Sequence, residues 1–124
     1  MIVAGLGLRS GCAADVILGL LREAHERCGM RPDLVAVPAF RYREAGLRTA
    51  LARLGLMLRA VAPDELAAAQ PRCVTRSARA LATLGAASVA EGCALAAAGP
   101  HSRLIVPRLT GTHATCAMAQ GEDA

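Results

Sequence analysis

The stretch Gly5-Leu6-Gly7-Leu8-Arg9-Ser10-Gly11 directly follows an apolar opening, residues 1–4, and precedes a helical pattern. That order predicts a strand, a glycine turn and a helix. Glycine lets a backbone turn tightly and approach a ligand closely, and the free N–H groups of the next helix favour negative charge. Gly5, Gly7, Arg9, Ser10 and Gly11 are therefore candidates for an anion-facing turn. The same glycines serve equally a turn that binds nothing. The spacing GxGxxxG, with no Gly-Lys-Ser/Thr after it, fits neither a Rossmann fingerprint nor a P-loop.

Further along, apolar residues recur at helical spacing over 15–28, through Ile17, Leu20, Leu21, Ala24 and Cys28. Gly29 and Pro32 stop that helix, and a short buried strand is expected over 34–37. A second helix is expected over 44–54, a strand over 56–61, and a short helix opened by Pro63-Asp64-Glu65. Pro71 interrupts the chain. A helix over 77–84 follows, then a longer one over 87–98 with the stripe Val89, Cys93, Ala96 and Ala97. Strands are expected over 104–106 and 113–119. The residues between them, 107–112, are too few for a crossover, so these two strands should run antiparallel. The pattern predicts one α/β domain over 1–119, a three-layer α/β/α arrangement. Its five-stranded sheet is expected to be mainly parallel with an antiparallel last strand, followed by a frayed tail, 120–124.

In open α/β sheets, ligands sit beyond the carboxyl ends of the strands, which places the glycine turn beside the loop after the second strand. That loop carries Phe40, Arg41, Tyr42 and Arg43, the chain's only aromatics with two arginines beside them. It reads either as a wall for a flat anion or as a solvated loop whose aromatics cap the core.

All fourteen basic residues are arginine, and the net charge is +4. Arginine's planar fork pairs bidentately with carboxylate or phosphate, which suits a polyanionic small molecule, although a GC-rich genome also favours Arg over Lys. The arginines are scattered and stacking aromatics are nearly absent, which argues against nucleic acid. No apolar run is long enough to span a membrane and no secretory signal is visible, so a cytoplasmic location is expected. The five cysteines are widely spaced with no CxxC pair, so neither a disulfide framework nor a metal site is expected, and no motif calls for a cofactor. Cys12, at the expected start of the first helix, is where a thiol pKa can fall, although a structural role is preferred. His25 and His101 read as solvent-exposed.

Taken together, these segments resemble the family comprising CobE and the C-terminal domain of CbiG, proteins of cobalamin biosynthesis. The likeness rests on Gly5 to Gly11 followed by Asp15 and Ile17, on Gly85-Ala86-Ala87-Ser88-Val89-Ala90-Glu91 with Ala94-Leu95-Ala96, and on Leu104-Ile105-Val106-Pro107-Arg108. The segment 47–66 adds a middle match. Leu8 stands where the family pattern has Cys, Cys12 and Ala13 where it has small hydroxyl residues, and Arg108 where it has Lys. A stand-alone domain of this length is more similar to CobE than to CbiG, which carries additional N-terminal sequence.

The resemblance implies work on a corrin-ring intermediate, a flat polycarboxylate tetrapyrrole, and three roles follow from it. The first is an accessory or carrier protein, with Arg9, Ser10, Gly11, Arg41, Tyr42, Ser88 and Arg108 in contact with the ligand. The second is a hydrolase or isomerase on such an intermediate, since CbiG-type proteins are associated with opening a ring lactone. Glu91 or His113 would then carry the proton. Glu91 lies off the apolar stripe, free either to face a cleft or to stabilise the helix N-terminus. The third is a docking partner of another pathway enzyme through Phe40 and Tyr42.

Overall fold

A computed structural model describes residues 1–76 and 88–121. The elements are β1 (Ile2–Leu8), α1 (Ala14–Cys28), β2 (Leu34–Pro38), α2 (Ala45–Leu54), β3 (Met57–Val61), α3 (Pro63–Ala69), α4 (Val89–Ala98), β4 (Arg103–Gly111) and β5 (Ala114–Gln120). The helix expected over 77–84 lies outside the described residues, as do 122–124 of the expected tail. Gln120 itself belongs to β5, and the Gly121 N–H donates to the Met1 carbonyl at 2.8 Å. None of the described helices is long and apolar enough to cross a membrane.

The expected α/β class holds, but the sheet is mixed rather than mainly parallel. Its order is β3-β2-β1-β5-β4, with β1/β2 and β2/β3 parallel and β1/β5 and β4/β5 antiparallel. The last strand is not at the edge. It inserts between β1 and β4, and the reason lies in its side chains: Ala114, Cys116, Ala117, Met118 and Ala119 are all buried, as a strand covered on both faces requires. β4 takes the edge and runs through Pro107, which the sequence reading places in a loop. Proline is tolerated there because an edge strand has no partner for the missing N–H on one side, and the register shifts around Val106 mark a bulge. The connection between the two strands is therefore only Thr112 and His113, with His113 at φ 65°.

Alternation along β1 sends its side chains to two cores. Ala4, Leu6 and Leu8 join Ile17 and Leu21 of α1 and Leu47 and Leu51 of α2 in one cluster. Val3 faces the other way, toward Leu66 of α3 and Cys93 and Ala97 of α4. On this second face α4 lies against the strand. A Cβ added at Gly5 would stand 2.1 Å from the Ala90 carbonyl oxygen and 2.5 Å from the Ala94 nitrogen, both backbone atoms that cannot step aside. The small residues of α4, among them the fully buried Ala90 and Ala94, complete the close approach.

This geometry corrects the reading of the opening motif. Gly5 and Gly7 lie inside β1, not in the turn after it, and a Cβ at Gly7 would meet the Thr115 hydroxyl on neighbouring β5 at 2.6 Å. Of the motif's glycines only Gly11, at φ 77°, belongs to the turn.

The packing yields a contrast between two glycine-to-alanine changes. Gly5→Ala should lower unfolding stability by about 3 kcal/mol, the upper range for overpacking against atoms that cannot yield. Gly19→Ala, in α1 with nothing within 4 Å of the new methyl, should raise it by about 0.5–1 kcal/mol. Urea denaturation of both variants beside the parent chain measures the difference.

Candidate functional site

Because β1, β2 and β3 are parallel, the loops that leave their carboxyl ends gather at one end of the sheet. The β4–β5 turn joins them, since Leu8 pairs with Ala114 across the ladder. Three hydrogen bonds tie these pieces together. The Arg9 N–H donates to the His113 carbonyl at 2.9 Å. Arg41 Nε donates to the Leu8 carbonyl at 2.9 Å, docking the loop after β2 onto the end of β1. The Gly11 N–H donates to Glu44 Oε1 at 2.8 Å.

That last bond changes the electrostatics expected of the turn. Gly11 faces an anion, but the anion is the chain's own carboxylate, from the residue just before α2. The helix N-terminus has no side-chain cap, because Ala13 stands at the capping position. Positive charge at this end comes instead from side chains. Arg9 and Arg43 are exposed, with Ser10 between the turn and solvent. Arg41 stacks over the ring of Phe40, 4.9 Å from its centroid, and Phe40 is 56% exposed. Tyr42 is turned inward: it packs against the core beneath α1 and α2, and Arg48 lies over its ring at 4.4 Å while donating to the Tyr42 carbonyl. Phe40 with Arg41 is thus the exposed part of the loop, and Tyr42 is its footing in the core.

Cys12 is buried, in keeping with the structural role preferred for it. Burial raises its thiol pKa and the nearby Glu44 carboxylate adds to the rise, so its place at a helix start does not yield a reactive thiolate. Burial also pushes Cys73 up to about 11, with Glu91 adding to the rise and Arg72 and Arg76 opposing it, and pushes Cys116 up to about 12. At all three, burial favours the neutral thiol over the thiolate. Among the described residues, no three His, Cys, Asp or Glu side chains cluster as metal ligands do.

Ser88, Glu91 and Arg108 form a second group at the start of α4. The Ser88 hydroxyl caps the helix by accepting from the Glu91 N–H at 3.3 Å, and Gln70 grips the Ser88 backbone from both sides, giving to its carbonyl and taking from its N–H. Glu91 is completely buried. Its Oε1 accepts from the Val74 and Thr75 N–H groups at 2.9 and 2.8 Å, and its Oε2 from the Thr75 hydroxyl at 2.7 Å and the Arg108 N–H at 3.0 Å. It therefore neither faces a cleft nor sits in solvent at the helix end. It fastens the segment after α3 and the edge strand β4 to α4. Its place off the apolar stripe is explained by this polar network, which no local pattern reveals. No hydrogen bond joins it to His113, which is exposed in the β4–β5 turn beside Arg9.

Sequence reasoning missed Glu44 and Gln70. An acidic residue ahead of a helix was the available signal for Glu44; Gln70, in a break before a proline, offered none. His25 is also corrected. It is half-buried, and its Nδ1 is fully covered without a hydrogen-bond partner among the described residues, whereas His101 is exposed.

Replacing Glu91 by Gln should cost about 2–3 kcal/mol of stability, because an amide turns one acceptor into a donor that faces N–H or O–H groups. Amide hydrogen exchange at Val74, Thr75 and Arg108 should accelerate more than at the centre of β1, and exchange NMR on the variant reads that pattern.

The model of the cobalamin synthesis G C-terminus family matches residues 2–119. No curated protein sequence matches this chain. The solved structure of CobE, a protein from the cobalamin (vitamin B12) biosynthetic pathway, is similar with a TM-score of 0.88 and 32% identity, over 96% of this chain and 89% of that one. The cobalamin biosynthesis protein chiG from Agrobacterium tumefaciens str. C58 is similar with a TM-score of 0.78 and 34% identity, over 99% of this chain and all of the other. The chain belongs to the cobalamin synthesis G C-terminal family and is a CobE/CbiG-like protein of cobalamin biosynthesis.

Proposed function

We propose that this protein binds a corrin-ring intermediate at the carboxyl end of its sheet and acts as an accessory or carrier in the pathway. The observation that carries the reading is the bond from Arg41 to the Leu8 carbonyl, which fixes the aromatic and arginine loop beside Arg9 and Ser10. Corrin precursors have an apolar ring face and a fringe of carboxylates. An exposed Phe40 beneath the Arg41 guanidinium offers a stacking surface for the face, and Arg9 and Arg43 offer forks for the fringe.

The ligand's carboxylates would meet arginine side chains rather than the Gly11 N–H of the turn, which Glu44 already occupies. Glu44 has a second effect. It holds the turn in place without a ligand, so the surface is formed before binding and little ordering cost falls on the complex. Ser88 and Arg108 act through α4 in this reading, with the Arg108 backbone committed to Glu91.

A hydrolytic or isomerising role has one observation in its favour, the position of His113 next to Arg9. Glu91, enclosed by four donors, belongs to the framework instead. The docking reading narrows to Phe40, since Tyr42 is turned inward.

Ultraviolet–visible titration with a panel of corrin polycarboxylates separates these roles. Saturable binding should shift the ligand spectrum, and Arg9→Ala or Arg43→Ala should each weaken it by about tenfold, as expected for one charge-assisted pair. Mass analysis of the recovered ligand should show no change. A changed mass establishes turnover and moves attention to His113→Ala, and no spectral response to any corrin contradicts the binding role.

A further inference from the structure

At the opposite end of the molecule from this platform, where α1 hands over to β2 and α2 to β3, lies a groove of about 480 Å³. Its floor is apolar: Leu18 and Leu21 of α1, Pro32, and Leu54 and Leu56 on either side of Gly55. Arg22, Arg31 and Arg53 supply its charge, and none of its lining residues is acidic. Sites for small molecules have this size and make-up, an apolar lining with a few convergent polar groups.

Three further features distinguish the groove from an ordinary solvated helix face. Leu54 remains 48% exposed there, an apolar side chain only half covered by protein. Among the described residues neither Arg22 nor Arg31 has an ion-pair partner. Arg53 has only a loose one, Asp15 at 3.7 Å, with the two side chains 61% and 92% exposed; such a pair contributes little and is easily exchanged for another anion. Finally, His25 lines the same groove, and its Nδ1 is the one buried side-chain nitrogen or oxygen among the described residues without a hydrogen-bond partner. Orphaned buried polar atoms are rare in folded proteins and mark places where a partner is missing.

We propose that this groove is a second binding site, for a soluble small anion with an apolar body, such as an aromatic carboxylate or sulfonate. The apolar body covers Leu18, Leu21 and Leu54, and the anionic group lies among the three guanidinium groups. The site is separate from the platform formed by Arg9 and Arg41, so it stands or falls independently of the corrin-binding reading.

Fluorescence titration with anilinonaphthalene sulfonate tests it, with N-phenylnaphthylamine as a probe of nearly the same apolar body and no charge. Saturable binding of the sulfonate is expected, weakened about tenfold or more in the double variant Arg22→Glu, Arg53→Glu, and unchanged in Arg103→Glu, an exposed position outside the groove. The neutral amine should bind at least about tenfold more weakly than the sulfonate. Methyl NMR of the unsubstituted protein should place the sulfonate-induced shifts at Leu18, Leu21, Leu54 and Leu56, a readout that does not depend on the variants folding. Shifts centred elsewhere, equal affinity for the neutral amine, or undiminished binding by a double variant with a native circular-dichroism spectrum would each overturn the proposal. So would binding to phosphatidylglycerol vesicles without binding to the soluble sulfonate.

Discussion

The backbone of α4 rests on the backbone of β1 at Gly5, and much of the molecule is arranged around that contact. With a Cβ position only 2.1 Å from the Ala90 carbonyl, no other residue type fits without moving the helix. The approach brings the first turn of α4 over the carboxyl half of β1. From there Ser88 caps the helix, and Glu91 gathers donors from the segment after α3 and from β4. A fully buried carboxylate is costly unless its oxygens are paired, and here each oxygen accepts two hydrogen bonds. The helix thus anchors an edge strand and a loop that have few apolar contacts to hold them, while β5 is gripped between α1 on one face and α4 on the other.

What the sequence revealed, and what it hid, follows the range of the interactions. Both helix stops at Gly29 and Gly55 were legible because a left-handed cap is a local demand, and both residues adopt it. The elements α1, β2, α2, β3 and α3 were legible from local pattern for the same reason. The place of β5 was also written locally, in a run of apolar residues that only a central strand tolerates, but Pro107 suggested a loop where the structure has a bulged edge strand. Gly5 and Gly7 were misplaced because their purpose is set by a helix and a strand from the far end of the chain. Glu91 was seen to be off the apolar face, yet only the fold shows the three backbone N–H groups that surround it. Cys12 was decided by competition: a helix start lowers a thiol pKa, but burial and Glu44 outweigh it here.

At the carboxyl end of the sheet, the anion that meets the turn is internal. The chain meets the N–H of its own turn with Glu44 and presents arginine side chains to solvent instead. At the other end Arg22, Arg31 and Arg53 line an apolar floor, and Arg53 has only its loose pair with Asp15. Each of these two arginine groups stands beside an exposed apolar side chain, Phe40 at one end and Leu54 at the other.

The corrin platform proposed above is the surface made by the Leu8–Cys12 turn, the Phe40–Glu44 loop and the β4–β5 turn. Backbone amide NMR of the uniformly labelled protein, with and without a saturating corrin polycarboxylate, tests it most directly. The account predicts that the largest shifts fall on Arg9, Ser10, Gly11, Phe40, Arg41, Arg43 and His113, with Arg22, Arg31 and Arg53 undisturbed. Shifts that avoid the carboxyl end of the sheet, or an unaltered spectrum at saturating ligand, would contradict it.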